Sequence, residues 1–339
     1  AEPADKHWGL YTDSVRWKQF SQAKLAAELR DFREHGITSL MMYPPSHCKV
    51  ELEGEGLKID ASEFIRFMEA ARRAGLRPPT VFSVQGLPWL IDRLLAGRKD
   101  DRLWEKLYRD FCLYFADLAR RRGWGEVVFH AIDEPSYRGP SAERAVRWLG
   151  ILKRAGLTTF TTALSPQLIN GPLDSFLDVR CWSVGFVLSS RSANEKARED
   201  ARRSGDRLWY YGSGCYTGQE WNMRRNRWLT GFGFYKSGAE GEWSWTFLRP
   251  KGDPFNDFDG ARYREAKDAM IAYPAPGDEP PIRTPQWEGI REGINDFKYL
   301  YAAQRAVEAA RGGLRRRLQQ RLERLVEKLP WGVAPREAT

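Results

Sequence analysis

Short runs of apolar or β-branched residues alternate along this chain with longer stretches in which apolar residues recur every three or four positions. Runs of the first kind are strands and stretches of the second are amphipathic helices, so their alternation is the pattern of βα units around a parallel sheet. Eight strands are predicted, over 8–12, 37–43, 80–84, 126–132, 157–164, 179–186, 207–212 and 242–248. Helices are predicted over 21–35, 60–74, 103–121, 143–155 and 193–204, with Gly36, Gly75 and Gly156 as stops and Ser141 as a cap. Eight strands with intervening helices fit an α/β fold of the closed (β/α)8 barrel type better than an open doubly wound sheet. No GxGxxG or GxxxxGK[ST] loop argues for a nucleotide. The barrel is expected over 8–272. A Pro- and Gly-rich loop, 274–285, then leads to a C-terminal helical extension, 286–330, packed on the barrel, and 1–339 is read as one catalytic domain.

Composition narrows this picture. At 42% hydrophobic residues the chain has material for a large core, and 14 Trp, 13 Tyr and 17 Phe leave aromatics over for a binding site. No apolar run approaches the roughly 18 residues that cross a bilayer, so membrane insertion is not expected. The net charge of +9 would suit nucleic acid, but much of the excess lies in 311–328, around Arg315-Arg316-Arg317. There Leu314, Leu318, Leu322, Leu325 and Leu329 recur at three and four, which reads as an amphipathic helix with a solvated basic face rather than a nucleic-acid site. Cys48, Cys112, Cys181 and Cys215 are too scattered for a disulfide scaffold or a zinc site and are expected free and mostly buried. Four histidines without HxH or HxxxH spacing give no metal centre, and no cofactor is expected. The start Ala1-Glu2-Pro3 lacks an initiator Met, which suits a processed secreted or periplasmic chain or an excised piece.

In such barrels the active site lies at the C-terminal ends of the strands. That rule selects Asp133-Glu134-Pro135, two adjacent carboxylates closing the apolar fourth strand. The bland reading is a surface loop with helix-entry acids. The functional one is glycoside hydrolysis, which needs a proton donor for the leaving oxygen and a group that stabilises an oxocarbenium-like centre. Repulsion between neighbouring carboxylates lets one hold a proton while the other stays charged. Consecutive strand residues point to opposite faces, so both reach one pocket only where the strand ends and twists.

These residues, with Leu208-Trp209-Tyr210-Tyr211, the segment Gly241-Glu242-Trp243-Ser244-Trp245 and above all QWEGIREGINDFKYL from Gln286 to Leu300, resemble the glycoside hydrolase family 123 catalytic domain and the related domain of unknown function 4091. The similarity runs from Trp8 to about Ala310. It implies a retaining β-N-acetylgalactosaminidase-like enzyme working by substrate assistance on a glycan or glycoconjugate. The sugar's 2-acetamido oxygen would attack the anomeric carbon, Glu134 would be general acid and then base, and Asp133 would orient the acetamido N–H. Tyr211 matches the Tyr of the family's aromatic strand, and its hydroxyl would hold the acetamido oxygen. Family members usually carry a β-sandwich ahead of the barrel, whereas this chain starts almost at its first strand.

Trp245 and Trp182 are candidates for an apolar floor under a sugar face, and Tyr43, Gln85 and Ser213 for hydrogen bonds to its hydroxyls. His130, inside an apolar strand, reads as a satisfied buried histidine. Glu288, Arg291, Glu292 and Asp296 fall at helical spacing and read as salt bridges locking the terminal helix to the barrel. A conventional retaining glycosidase would need a second carboxylate near the seventh strand. Glu220 is the one in that loop, some eight residues beyond the strand. A non-catalytic carbohydrate-binding barrel is the reading from another class.

Overall fold

The computed structural model describes residues 3–12, 14–213, 222–250, 252–256 and 269–332. In chain order its main elements are β1 (His7–Tyr11), α1 (Gln22–Glu34), β2 (Ser39–Met42), β3 (Lys49–Glu53), β4 (Gly56–Asp60), α2 (Ser62–Arg73), β5 (Thr80–Ser83), α3 (Leu87–Leu95), α4 (Asp101–Arg121) and β6 (Val127–His130). After these come α5 (Pro140–Arg154), β7 (Thr159–Ala163), α6 (Pro166–Ile169), β8 (Val179–Ser183), α7 (Val184–Val187), α8 (Arg191–Ser204) and β9 (Arg207–Ser213). The chain continues through α9 (Asn222–Trp228), a π-helical turn (Leu229–Gly233), α10 (Phe234–Ser237), β10 (Gly241–Ser244), α11 (Pro285–Ala309) and α12 (Gly312–Lys328). Strands β1, β2, β5, β6, β7, β8, β9 and β10 close into one parallel barrel in that order, so all eight predicted strands are barrel strands.

The differences from the sequence reading have local causes. The sixth predicted strand stops at Ser183 and Val184–Val187 turns into helix, because a continuous apolar run does not mark where a strand ends. Helix α5 begins at Pro140 after Gly139, not behind a Ser141 cap; proline is suited to a first helical position, and the Ser141 hydroxyl instead accepts the Ser136 N–H at 3.3 Å. The β3–β4 hairpin and α3 were not anticipated, although Val50, Leu52, Leu57 and Ile59 alternate with polar or charged residues about Gly54.

Inward-facing Tyr11, Met41, Val81, Val128, Phe160, Val179, Cys181, Trp209 and Trp243 fill the barrel. The indoles of Trp209 and Trp243, on the neighbouring strands β9 and β10, stack at 5.4 Å inside it. Glycines make room for them: a Cβ on Gly9 would stand 2.2 Å from Trp243, and one on Gly241 2.8 Å from Trp209. Each indole removes on the order of 200 Å² from water, worth about 5 kcal/mol at about 25 cal/mol per Å². The interior is thus solid, and a ligand can be received only at a mouth.

The WEGIREGIND segment forms the first half of α11 and works as a packing device. A Cβ on Gly289 would lie 2.5 Å from the Met223 carbonyl, and one on Gly293 2.3 Å from the Arg227 carbonyl. The two glycines therefore let α11 lie backbone to backbone on α9. Trp287 donates its indole N–H to buried Asp31 on α1 at 2.8 Å, and Arg227 clamps Asp296 at 2.6 and 3.0 Å. Arg291 pairs with Glu288 at 2.6 Å and Glu292 at 3.4 Å, while Glu288 also lies 3.4 Å from His35. Of the expected salt bridges, the Asp296 pair ties helix to helix and the Arg291 pairs stay within α11. Helix α12 lies against α11 as the expected amphipathic extension but is only partly covered: none of its residues is buried, and Leu314 and Leu325 are half exposed. No helix among the described residues is long and apolar enough to cross a membrane.

Candidate active site at the C-terminal mouth of the barrel

The fourth barrel strand, β6, runs out through Ala131 and Ile132 into Asp133 and Glu134. Thr161 on β7 holds this exit by donating its hydroxyl to the Ile132 carbonyl at 2.5 Å. Glu134 has φ +39°, the left-handed region that side-chain-bearing residues seldom adopt. That turn breaks the alternation of an extended strand, so adjacent carboxylates both find partners at the mouth. Thr162 Oγ1 accepts the Glu134 N–H at 3.0 Å and donates to Asp133 Oδ1 at 2.5 Å. Tyr211, near the end of β9, donates its hydroxyl to Glu134 Oε1 at 2.5 Å.

Burial, then the hydrogen bond and charge of Glu134, push the Tyr211 phenol far above its ordinary range, so it remains a donor at any working pH. The sequence reading placed this hydroxyl on an acetamido oxygen. In the structure it donates to Glu134 Oε1.

Beneath Asp133 lies His130, fully buried, its Nε2 3.8 Å from Asp133 Oδ1. Gln85 donates its amide to His130 Nδ1 at 3.0 Å. Burial lowers the imidazole to about 4 against the pull of the Asp133 charge, so it is neutral near pH 7. The expectation of a satisfied buried histidine holds for one ring nitrogen; Nε2 has no hydrogen-bond partner among the described residues. Gln85, expected on sugar hydroxyls, has its amide nitrogen engaged here.

Tyr43, Tyr211 and Trp245 are half-buried and pack on the top of the interior cluster. Trp245 precedes a cis peptide to Thr246, whose hydroxyl donates to the Tyr11 carbonyl at 3.1 Å. Trp182 requires a correction. It is fully buried between barrel and helices and stacks on Phe186 at 4.6 Å, because Cys181 occupies the inward position of β8 and strand alternation turns the next side chain outward. Ser213 closes β9, but its side chain lies outside the described residues, as do Glu220 and Cys215. Cys112 and Cys181 are buried free thiols, Cys48 a half-buried one.

Two neighbours of the pair were missed. Thr162 read only as part of the fifth strand, and Tyr11 as part of the first; the inward Tyr11 hydroxyl is buried, unpartnered among the described residues, and within electrostatic reach of Asp133, Tyr43 and Tyr211. An aromatic at the C-terminal end of a strand was the available signal. Among the described residues no group of three His, Cys, Asp or Glu side chains could hold a metal ion.

A closed barrel with two exposed carboxylates at the end of its fourth strand, one gripped by a phenol and the other by a hydroxyl, with aromatic rings around the mouth, has the build of a glycoside hydrolase. The chain belongs to glycoside hydrolase family 123: the family model described as "Glycoside hydrolase 123, catalytic domain" matches residues 38–303. Among solved structures it is similar to a family 123 glycoside hydrolase from Clostridium perfringens, analysed for glycolipid glycan hydrolysis, with TM-score 0.67 and 14% identity over 96% of this chain. This chain spans 63% of that one. Its fold is also similar to the endo-1,4-β-D-mannanase of Thermotoga petrophila, with TM-score 0.53 and 12% identity over 86% of this chain and 99% of that one. No curated protein matches the sequence.

Proposed function

We propose that this glycoside hydrolase is a retaining enzyme for β-linked N-acetylhexosaminides, N-acetylgalactosaminides first among them, and that the substrate's own acetamido group is its nucleophile. The observation that carries the reading is the unequal fastening of two adjacent carboxylates: a phenol holds Glu134 and a threonine holds Asp133. Glu134 gives a proton to the glycosidic oxygen while the acetamido oxygen attacks the anomeric carbon and forms an oxazoline. Asp133 accepts the acetamido N–H and so sharpens that oxygen as a nucleophile. Glu134, now a carboxylate, takes a proton from the water that opens the ring. Substrate assistance dispenses with a second enzymic carboxylate. Trp245 and Tyr43 line the rim against which the sugar packs, Gln85 stands beside it, and the glycan part of glycolipids, named for the Clostridium relative, is the natural substrate to try. The deciding experiment compares 4-nitrophenyl 2-acetamido-2-deoxy-β-galactoside and -glucoside with the matching 2-hydroxy glycosides. Strong preference for the acetamido sugars is expected; equal turnover of both would leave the conventional two-carboxylate mechanism.

A further inference from the structure

Strand β7 reads Thr-Phe-Thr-Thr-Ala and is buried throughout. Its threonines divide by face. Thr159 bonds the Phe176 carbonyl and Asp178, and Thr161 bonds the Ile132 carbonyl. Thr162 faces the other way, and its hydroxyl bonds Asp133 and Glu134, at 2.5 and 3.0 Å.

A hydroxyl carries one proton and can accept others'. The Glu134 N–H can only donate, so Thr162 must accept it, and the single threonine proton goes to Asp133 Oδ1. That direction presents Asp133 as an acceptor and leaves its other oxygen for the substrate. The same contact supports the left-handed turn at Glu134, since a backbone at φ +39° persists where its surroundings hold it. From these contacts we infer that Thr162 is the positioning residue of the reaction, one hydroxyl setting the direction of one carboxylate and the backbone that aims the other. The inference rests on the roles assigned above to Asp133 and Glu134.

Three side chains at this position separate the hydroxyl from packing. Valine keeps the shape and loses both bonds, serine keeps both bonds, and alanine stands in for valine should that variant not fold. Misplacing a reacting group by about 1 Å costs on the order of 100-fold, and T162V is expected to lose about that in kcat with KM little changed. The loss should grow as the leaving group becomes poorer, because Glu134 is misaimed as well as Asp133. A mere fall in folded protein would scale every substrate alike. T162S should recover most of the rate. Crystal structures of the unliganded variants should show Asp133 and the Glu134 backbone displaced in T162V and in place in T162S. Wild-type rate in T162V, equal loss in T162S, a loss independent of leaving group, or an unmoved carboxylate pair in the T162V crystal would each overturn the inference. If the wild type proves indifferent to the 2-acetamido group, the substrate-assisted reading falls, yet the contrast between T162V and T162S should persist on whichever glycoside is cleaved. If no glycoside in the panel is cleaved, the crystal pair decides.

Discussion

Replacing Tyr211 with Phe removes one oxygen and leaves the ring, so the packing of a half-buried side chain on Trp243 and its neighbours is kept. What is lost is the O–H to Glu134 Oε1 contact, which at 2.5 Å lies in the range of charge-assisted hydrogen bonds. Such bonds are worth about 1.5–3 kcal/mol. Glu134 is exposed, so water can replace part of the contact and the lower part of that range applies. About 1.5–2 kcal/mol corresponds to about a 10- to 30-fold fall in kcat/KM at 1.36 kcal/mol per decade. The contact is to the proposed proton donor, so the fall should be largest on aglycones that depart only when protonated and smallest on activated ones. Initial rates on a series of aryl 2-acetamido glycosides of graded leaving ability measure this. A flat loss across the series would mean that Tyr211 works on the acetamido group, and no loss would mean that its bond to Glu134 is idle; either refutes the reasoning.

E134Q should lose about 10²–10⁴-fold on poor leaving groups and much less on 4-nitrophenyl glycosides, whereas D133N should be slow on both; identical profiles for the two variants would contradict the division of labour. G293A puts a methyl 2.1 Å from Thr230 Oγ1 and 2.3 Å from a backbone carbonyl and should destabilise by about 1–3 kcal/mol in urea unfolding, while G313A, which meets open space, should be near neutral. Equal stabilities would show that α11 does not need its close approach. Buried Glu242 has its carboxyl raised well above 4.5 by desolvation, so above that pH the folded chain holds a proton that the unfolded chain releases, and stability falls as pH rises toward the folded-state value. E242Q removes that slope, so its stability relative to wild type should climb as pH rises above 4.5. Parallel unfolding curves from pH 4.5 to 8 would sink this account.

Repeating local pattern carried the architecture. Apolar runs and helical spacing are properties of neighbouring residues, so eight strands, their order and the carboxylates closing the fourth could be read without coordinates. The terminal Trp-Glu-Gly motif was legible as a resemblance but not as a mechanism, since the reason for Gly289 and Gly293 lies in the carbonyls of Met223 and Arg227 on another helix. Closure of the barrel decided which parity of each strand faces inward, and it turned Trp182 out and Thr162 in. It also set the partners of the two carboxylates, which come from 29 and 77 residues away. A side chain's chemistry is written in its own residue, but the hydrogen bond that aims it depends on the register of strands brought together only when the sheet closes, and that register placed the Thr162 hydroxyl between Asp133 and Glu134 and the Tyr211 hydroxyl on the acid.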